Sequence, residues 1–447
     1  MPFLMPDQGT TVTADPGSFP TTDGTGRTLG YALVAFDRTG IEAHDPDGAP
    51  TDHRPKRPGA LRRAARRVSD RALAAGPADE PPTTAPDGDE RRLLSLELAD
   101  RLRRARDDGD PYTDVFVAAH GWLVDYEEAV GMYDAWFDVC ASVRPGRLDP
   151  DAPGRPMVVA VHWPSQPNTR RDRHAEDPIP LQDFPAGADG QGAPEHRPSV
   201  LDLVDSVVPL ASFWLMEHRA STVGRRGVAA LLALLQEAGG PDLRVHLAGH
   251  SFGARVLVEA LTGRSGRAVA PVDSLFLIEG AVSAWSFCTA AENPYGDPDG
   301  ASVGLVAGHR VRGPVVATTS RFDRALGRMF PAAHGAEVAV ARLRGLRFPF
   351  GRLHVAGDPA VPPRLGALGI WGFAGTVERT AVLRRDTTTD YAFRPGALHH
   401  LVADAVVDLR PSGGKTWDDP ISGAHANIVH PALAAAFWQA VEAAPAR

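Results

Sequence analysis

The stretch VHLAGHSFGARVL (245–257) holds Gly249, Ser251 and Gly253 in the pattern G-x-S-x-G. A serine hydroxyl attacks a carbonyl only when a base takes its proton and an acid orients that base. A second match, GASVG at 300–304, gives the chain an internal control. For serine to serve as a nucleophile on such a motif, a buried strand must end, the serine must occupy a strained turn, and a helix must begin at once. Ser251 meets each term. VHLA reads as the strand, Gly249 and Gly253 are the small flanks of the elbow, and Ala254 keeps the next turn small. Phe252, Val256 and Ala260 then recur on one helix face. Ser302 meets none: it follows the turn-forming NPYGDPDG and leads into LVAGHRVRG, which has no helical pattern. Chemistry is expected at Ser251, against the alternative of a structural elbow without activity.

A nucleophile on such an elbow takes its partners in the chain order serine, acid, histidine. Strand GPVVATTS (313–320) leads into Arg321-Phe322-Asp323, which puts Asp323 just past a strand's carboxyl end. The competing reading of Asp323 is a helix cap for DRALGRMF. Glu279, after SLFLI, is the reserve acid. The base is expected in the loop RPSGGKTWDDPISGAHANIVHP, between the last strand and the last helix. His425 follows Ser422-Gly423-Ala424, small residues that allow close approach, and is preferred. His430 directly precedes Pro431, where a capping role suits it. No third ligand lies at metal spacing and there is no H-E-x-x-H, so neither metal nor other cofactor is expected. The developing oxyanion needs backbone donors. Phe252, just after the serine, and Trp122, in the loop after DVFVAA, are the candidates. His120, Gly121, Trp214 and His250 complete the candidate substrate pocket.

The elements that must position these groups read as strands alternating with helices. Strands are expected at 30–36, 114–122, 157–165, 243–249, 274–280, 313–320 and 401–409. Helices are expected at 91–109, 227–240, 252–263 and 431–444. Near-continuous apolar strands between helices imply an α/β class with a mostly parallel sheet covered on both faces. Residues 1–25 read as a flexible tail, and 26–447 as one domain with insertions at 45–90, 164–221 and 324–398. The first insertion is Arg- and Pro-rich, the second is a cap candidate, and the third is irregular. Within the second, Phe213, Trp214 and Met216 would either wall an acyl pocket or pack as core. NTRRDRH (168–174) reads as a solvated loop.

Bulk properties set the outer limits. The chain has 447 residues, 43% of them hydrophobic, ample for a large core. A net charge of −8 argues against a dedicated nucleic-acid binder. Two cysteines, Cys140 and Cys288, form no disulfide framework. No signal peptide and no apolar run of membrane-spanning length is seen, so a cytoplasmic protein is the expectation.

The motifs AAHGW with the later Glu127-Glu128, VAVHWPS, LAGHSFG, TSRFDRALG and GAHANIVHP resemble the α/β-hydrolase superfamily across roughly 114–444, within it bacterial esterase- and lipase-like serine hydrolases of unassigned substrate. The resemblance implies the α/β-hydrolase fold and Ser251, Asp323 and His425 as a triad. Many relatives carry an acidic residue two positions after the histidine, where this chain has Asn427. The activity expected is cleavage of a carboxylic ester or related acyl bond of a small-molecule or lipid-like substrate. Lipase or phospholipase, peptidase and thioesterase variants share the same machinery. A binding protein on a hydrolase scaffold is the rival of another class.

Overall fold

The structure, a computed structural model, describes residues 18–22, 28–42, 93–124, 126–148, 155–166, 213, 215–262, 269–291, 299–329, 377–410 and 422–447. Insertion 45–90, most of 164–221 including Trp214, and residues 330–376 lie outside them. Eight strands form one sheet in the order β3-β5-β4-β6-β7-β8-β10-β9. They are β3 (Ala32–Ala35), β4 (Asp114–Ala119), β5 (Pro156–His162), β6 (Arg244–His250), β7 (Ser274–Ile278), β8 (Val315–Thr319), β9 (Val377–Val382) and β10 (Leu398–Val402). Every neighbouring pair runs parallel. A separate antiparallel ribbon joins β1 (Ser18–Thr22) to β2 (Thr28–Gly30), so part of the stretch expected as a tail is paired.

Strand alternation divides the core in two. Val115, Val117, Leu275 and Leu277 face one side with α1 (Leu94–Asp107), α3 (Ala229–Gly239) and α4 (Phe252–Thr262). Phe116, Ala118, Phe276 and Ile278 face the other with α2 (Tyr126–Val143) and α5 (Pro431–Glu442). Successive side chains of a strand point to opposite faces, so a strand buried on both must be apolar throughout. This is the α/β class expected from the sequence: a parallel sheet, covered on both faces, with a strand–serine–helix junction at its centre. Among the described residues no helix is long and apolar enough to cross a membrane.

One expected strand is misplaced. LVADAVVDL (401–409) reads as a strand, but β10 begins earlier, at Leu398, and the chain turns after Ala403. The N–H groups of Val406 and Val407 both return to the Ala403 carbonyl. Each of the two histidines near the start of the real strand is bonded through its Nε2. The His400 ring bonds Thr319 Oγ1 through Nε2 at 2.7 Å, and His399 Nε2 accepts the Arg394 N–H. Strand β9, VERTAV, was not expected at all. It is the sheet's edge, and its Val382 is 59% exposed, so no apolar run announces it.

Candidate active site

Ser251 lies between β6 and α4 with φ of 56°, the left-handed region. A serine there costs on the order of 1–3 kcal/mol and persists only where the surroundings impose it. They do: its N–H donates to the Ile278 carbonyl at 3.0 Å, and its carbonyl accepts from Ala254 and Ala281. A Cβ on Gly253 would lie 2.1 Å from the Ala119 carbonyl oxygen, and one on Gly249 2.7 Å from the Ala254 Cα. Both positions therefore admit only glycine at this strand–helix separation. Ser302 has an ordinary φ of −103° and follows a turn rather than a strand. A one-turn helix, Val303–Val306, does follow it, which the sequence pattern did not announce.

The loop before α5 brings His425 to Asp323, with Nδ1 2.6 Å from Oδ2. The backbone builds this pair. Asp323 and Gly423 form an antiparallel bridge, and Ala424 N–H donates to the Phe322 carbonyl. A Cβ on Gly423 would sit 2.5 Å from that same carbonyl, so Ser422-Gly423-Ala424 does provide the close approach its small residues suggest. The other Asp323 oxygen, Oδ1, accepts the Leu326 N–H at 2.9 Å. The capping reading of Asp323 and its pairing with His425 hold together, one oxygen each. His430 caps α5, its Nδ1 accepting from Ala432 N–H at 3.1 Å. Asn427 donates to the Asp408 carbonyl at 2.8 Å, a tie within the loop.

His250 connects the serine to this loop. Its Nε2–H donates to the His425 carbonyl at 2.9 Å, and the two rings lie 4.8 Å apart. Burial pushes the His250 imidazole down to about 3, so the ring is neutral near pH 7. A Cβ on Gly121 would meet the Ser251 Cβ at 2.9 Å and His250 Nδ1 at 3.1 Å. Any side chain at 121 would press on the serine.

His120 corrects an expectation. Expected in the pocket, it is 1% exposed and both ring nitrogens are engaged. Nδ1–H donates to the Gly121 carbonyl at 2.9 Å, while Nε2 meets His162 Nδ1 at 3.2 Å and the Trp163 N–H at 3.3 Å. Burial lowers the ring to about 4, so it too is neutral. A trans peptide places its C=O and N–H on opposite sides. A Gly121 carbonyl held toward His120 therefore turns the Trp122 N–H the other way. His120 thereby fixes the orientation of the Gly121–Trp122 peptide. Its supports went unrecognised in the sequence. Tyr133 accepts the His120 N–H and donates to the Val161 carbonyl, and Trp163 Nε1–H donates to the His120 carbonyl. Tyr133 sits on the apolar face of α2, where it looks like any core aromatic.

Trp122 packs edge-on against Phe252 and Phe213, with ring centroids 6.1 and 6.2 Å away. Its core reading is compatible with a backbone role, since only its N–H would be used. Phe213 and Met216 are buried in the core on this side of the sheet. Five non-glycine residues among those described adopt the left-handed region, and three of them stand at strand ends around this site: Leu123 after β4, Ser251 after β6 and Glu279 after β7. Such strain gathers where local geometry is fixed for a purpose. Glu279 is fully buried; its Oε1 accepts from Thr318 Oγ1 and its Oε2 from the Ser320 N–H. Burial first, then the charge of Asp323, holds its carboxyl well above the usual carboxylate range.

No protein-family model matches the chain, and no curated protein matches it. Among solved structures, it is similar to LpqC, a poly(3-hydroxybutyrate) depolymerase from Bordetella parapertussis. Identity is 18% and the TM-score 0.23, over 55% of this chain and 74% of that one. It is also similar to the metagenomic carboxyl esterase MGS0156, at 15% identity and a TM-score of 0.26, over 74% of this chain and 76% of that one.

Proposed function

We propose that the protein is a serine hydrolase that cleaves a carboxylic ester or related acyl bond through an acyl-enzyme. Ser251 Oγ attacks the acyl carbonyl while His425 Nε2 takes its proton. Asp323 holds the Nδ1–H and stabilises the imidazolium that forms. The N–H of Phe252, at the start of α4 and without a partner inside the helix, and the N–H of Trp122 receive the oxyanion. His425 then returns the proton to the departing alcohol. Water, activated by the same imidazole, releases the acid and restores the serine.

One observation carries this reading. A strained serine at a strand–helix junction adjoins, through His250, a histidine bonded to a buried aspartate at 2.6 Å. Aryl esters of graded acyl length, assayed with Ser251→Ala as control, test it directly. Hydrolysis and fluorophosphonate labelling that both vanish in the variant support the reading. A chain that never labels at Ser251 is a scaffold instead. Preference for acetyl over long acyl groups would exclude a lipid-like substrate.

A further inference from the structure

The site holds two acids where the reaction uses one. Glu279 leaves the end of β7 and Asp323 the turn after β8, and their carboxyl groups are in hydrogen-bonding contact. Glu279 is wholly sealed from solvent and its backbone is strained, at φ of 42°. Both its oxygens already accept, from Thr318 Oγ1 at 3.0 Å and from the Ser320 N–H at 2.9 Å. Asp323 accepts from His425 on one oxygen and from Leu326 on the other. Two touching carboxylates in a buried site cannot both be ionised, so one proton lies between them. Glu279, the more deeply buried partner, with no cation against it among the described residues, is the one that keeps it.

We propose that Glu279 is a positioning residue: its carboxylic acid donates a hydrogen bond to Asp323 and so fixes the carboxylate that orients His425. The inference rests on the reading of Asp323 and His425 as acid and base. The proton from Glu279 draws charge off Asp323. Asp323 is then held where one oxygen meets the imidazole Nδ1 at 2.6 Å. The same bond adds a third tie to the Asp323 carboxyl, beside those from His425 and the Leu326 N–H. Among the described residues, the titratable group bonded to the pair is His425, from the loop before α5, and His250 of β6 packs against that imidazole. From the end of β10 comes Asp404, which is occupied by Arg321 at 3.4 Å.

The sign of a pH shift tests the proposal. With a neutral Glu279, Glu279→Gln keeps a donor in place. It retains kcat within about threefold and leaves the acidic limb of kcat/KM where it was. Glu279→Leu removes the donor and leaves the Asp323 carboxylate one partner short. It lowers kcat about tenfold or more at near-constant KM and moves the acidic limb to higher pH. An acidic limb that moves to lower pH in either variant means that Glu279 carries a negative charge, and the proposal fails. It fails also if Glu279→Leu changes neither kcat nor the profile. Should Glu279→Leu not fold, Glu279→Gln still decides by the limb. Infrared difference spectra of wild type against Glu279→Gln give a readout independent of activity. A protonated-carboxyl C=O band that shifts in D2O and is missing from the variant is expected, and its absence from the wild type overturns the proposal. Loss of Ser251 dependence with that band intact would instead defeat the hydrolase reading and leave the carboxyl pair standing.

Discussion

The proposed triad and a hydrogen-bonded serine–histidine–aspartate chain stand at opposite ends of the same sheet. At the carboxyl ends of the strands are Ser251, His425 and Asp323. At the amino ends, Ser274 Oγ lies 2.8 Å from His246 Nδ1, and His246 Nε2 lies 3.1 Å from Asp114 Oδ1. By connectivity alone the second set looks complete. Exposure does not separate them either, since Ser251 is 3% and Ser274 0% exposed. The backbone does. Ser274 is an ordinary strand residue at the start of β7, whereas Ser251 is held left-handed immediately before a helix. Only the latter stands at a helix start, where the first N–H groups have no partner four residues back within the helix. The aspartates differ as well. Burial opposes ionisation of Asp114, but bonds from His246, Thr113 and Arg244 outweigh it and hold the carboxyl down to about 2. Among the described residues Asp323 faces no such arginine; it touches His425 and a second acid. His246 is further pinned by stacking on Phe116. The lower set is a polar brace across β4, β6 and β7. What sets the proposed nucleophile apart from Ser274 is its turn and the helix that starts beside it, and not hydrogen-bond order.

The comparison breaks most visibly at the serines. Ser251→Ala should lower kcat on an aryl ester by about 10,000-fold or more, while Ser274→Ala should leave kcat within about twofold. Equal losses would erase the distinction. Next come the acids: Asp323→Asn should cost roughly 1,000- to 10,000-fold in kcat through the wrong imidazole tautomer. Asp114→Asn should keep the activity and instead lower unfolding free energy by about 2 kcal/mol, read from denaturant midpoints. A smaller effect is expected at Gly121→Ala, whose new methyl would crowd the Ser251 Cβ at 2.9 Å. Displacement of the serine should cost on the order of 100-fold in kcat with little change in Tm.

The smallest effect is a pH dependence of stability. His250 and His120 are neutral in the folded chain, lowered by burial to about 3 and about 4 from an ordinary 6.5. A depressed histidine stabilises the fold above its unfolded value. That stability falls as pH drops below 6.5, because the unfolded chain takes up protons first, and the fall ends at the folded values. Each such ring should add a slope approaching about 1.4 kcal/mol per pH unit in that window. At the other end, burial also lowers His246, but its bond to Asp114 works against the shift. Denaturation from pH 7 to pH 4 should therefore flatten more in His250→Gln than in His246→Gln.

Much of this arrangement was legible in the residue order. Apolar runs bounded by turns mark β4 to β8, because strands buried on both faces leave no room for polar residues. The elbow was legible because glycine at 249 and 253 has a steric cause that sequence spacing preserves. What escaped reading depends on contacts between distant segments. His399 and His400 look polar yet open β10, since their partners, Arg394 and Thr319, are fixed only by the fold. His120 looked like a pocket residue because its neighbours His162 and Trp163 lie some forty positions away. Glu279 read as a spare acid, and nothing local shows that it meets Asp323.

Intact mass and peptide mapping after treatment with a fluorophosphonate ester test the central claim most directly. A single adduct is expected on Ser251, formed equally by Ser274→Ala and lost in Ser251→Ala and in His425→Ala. An adduct on any other serine, or ester hydrolysis that survives in Ser251→Ala, would contradict the account.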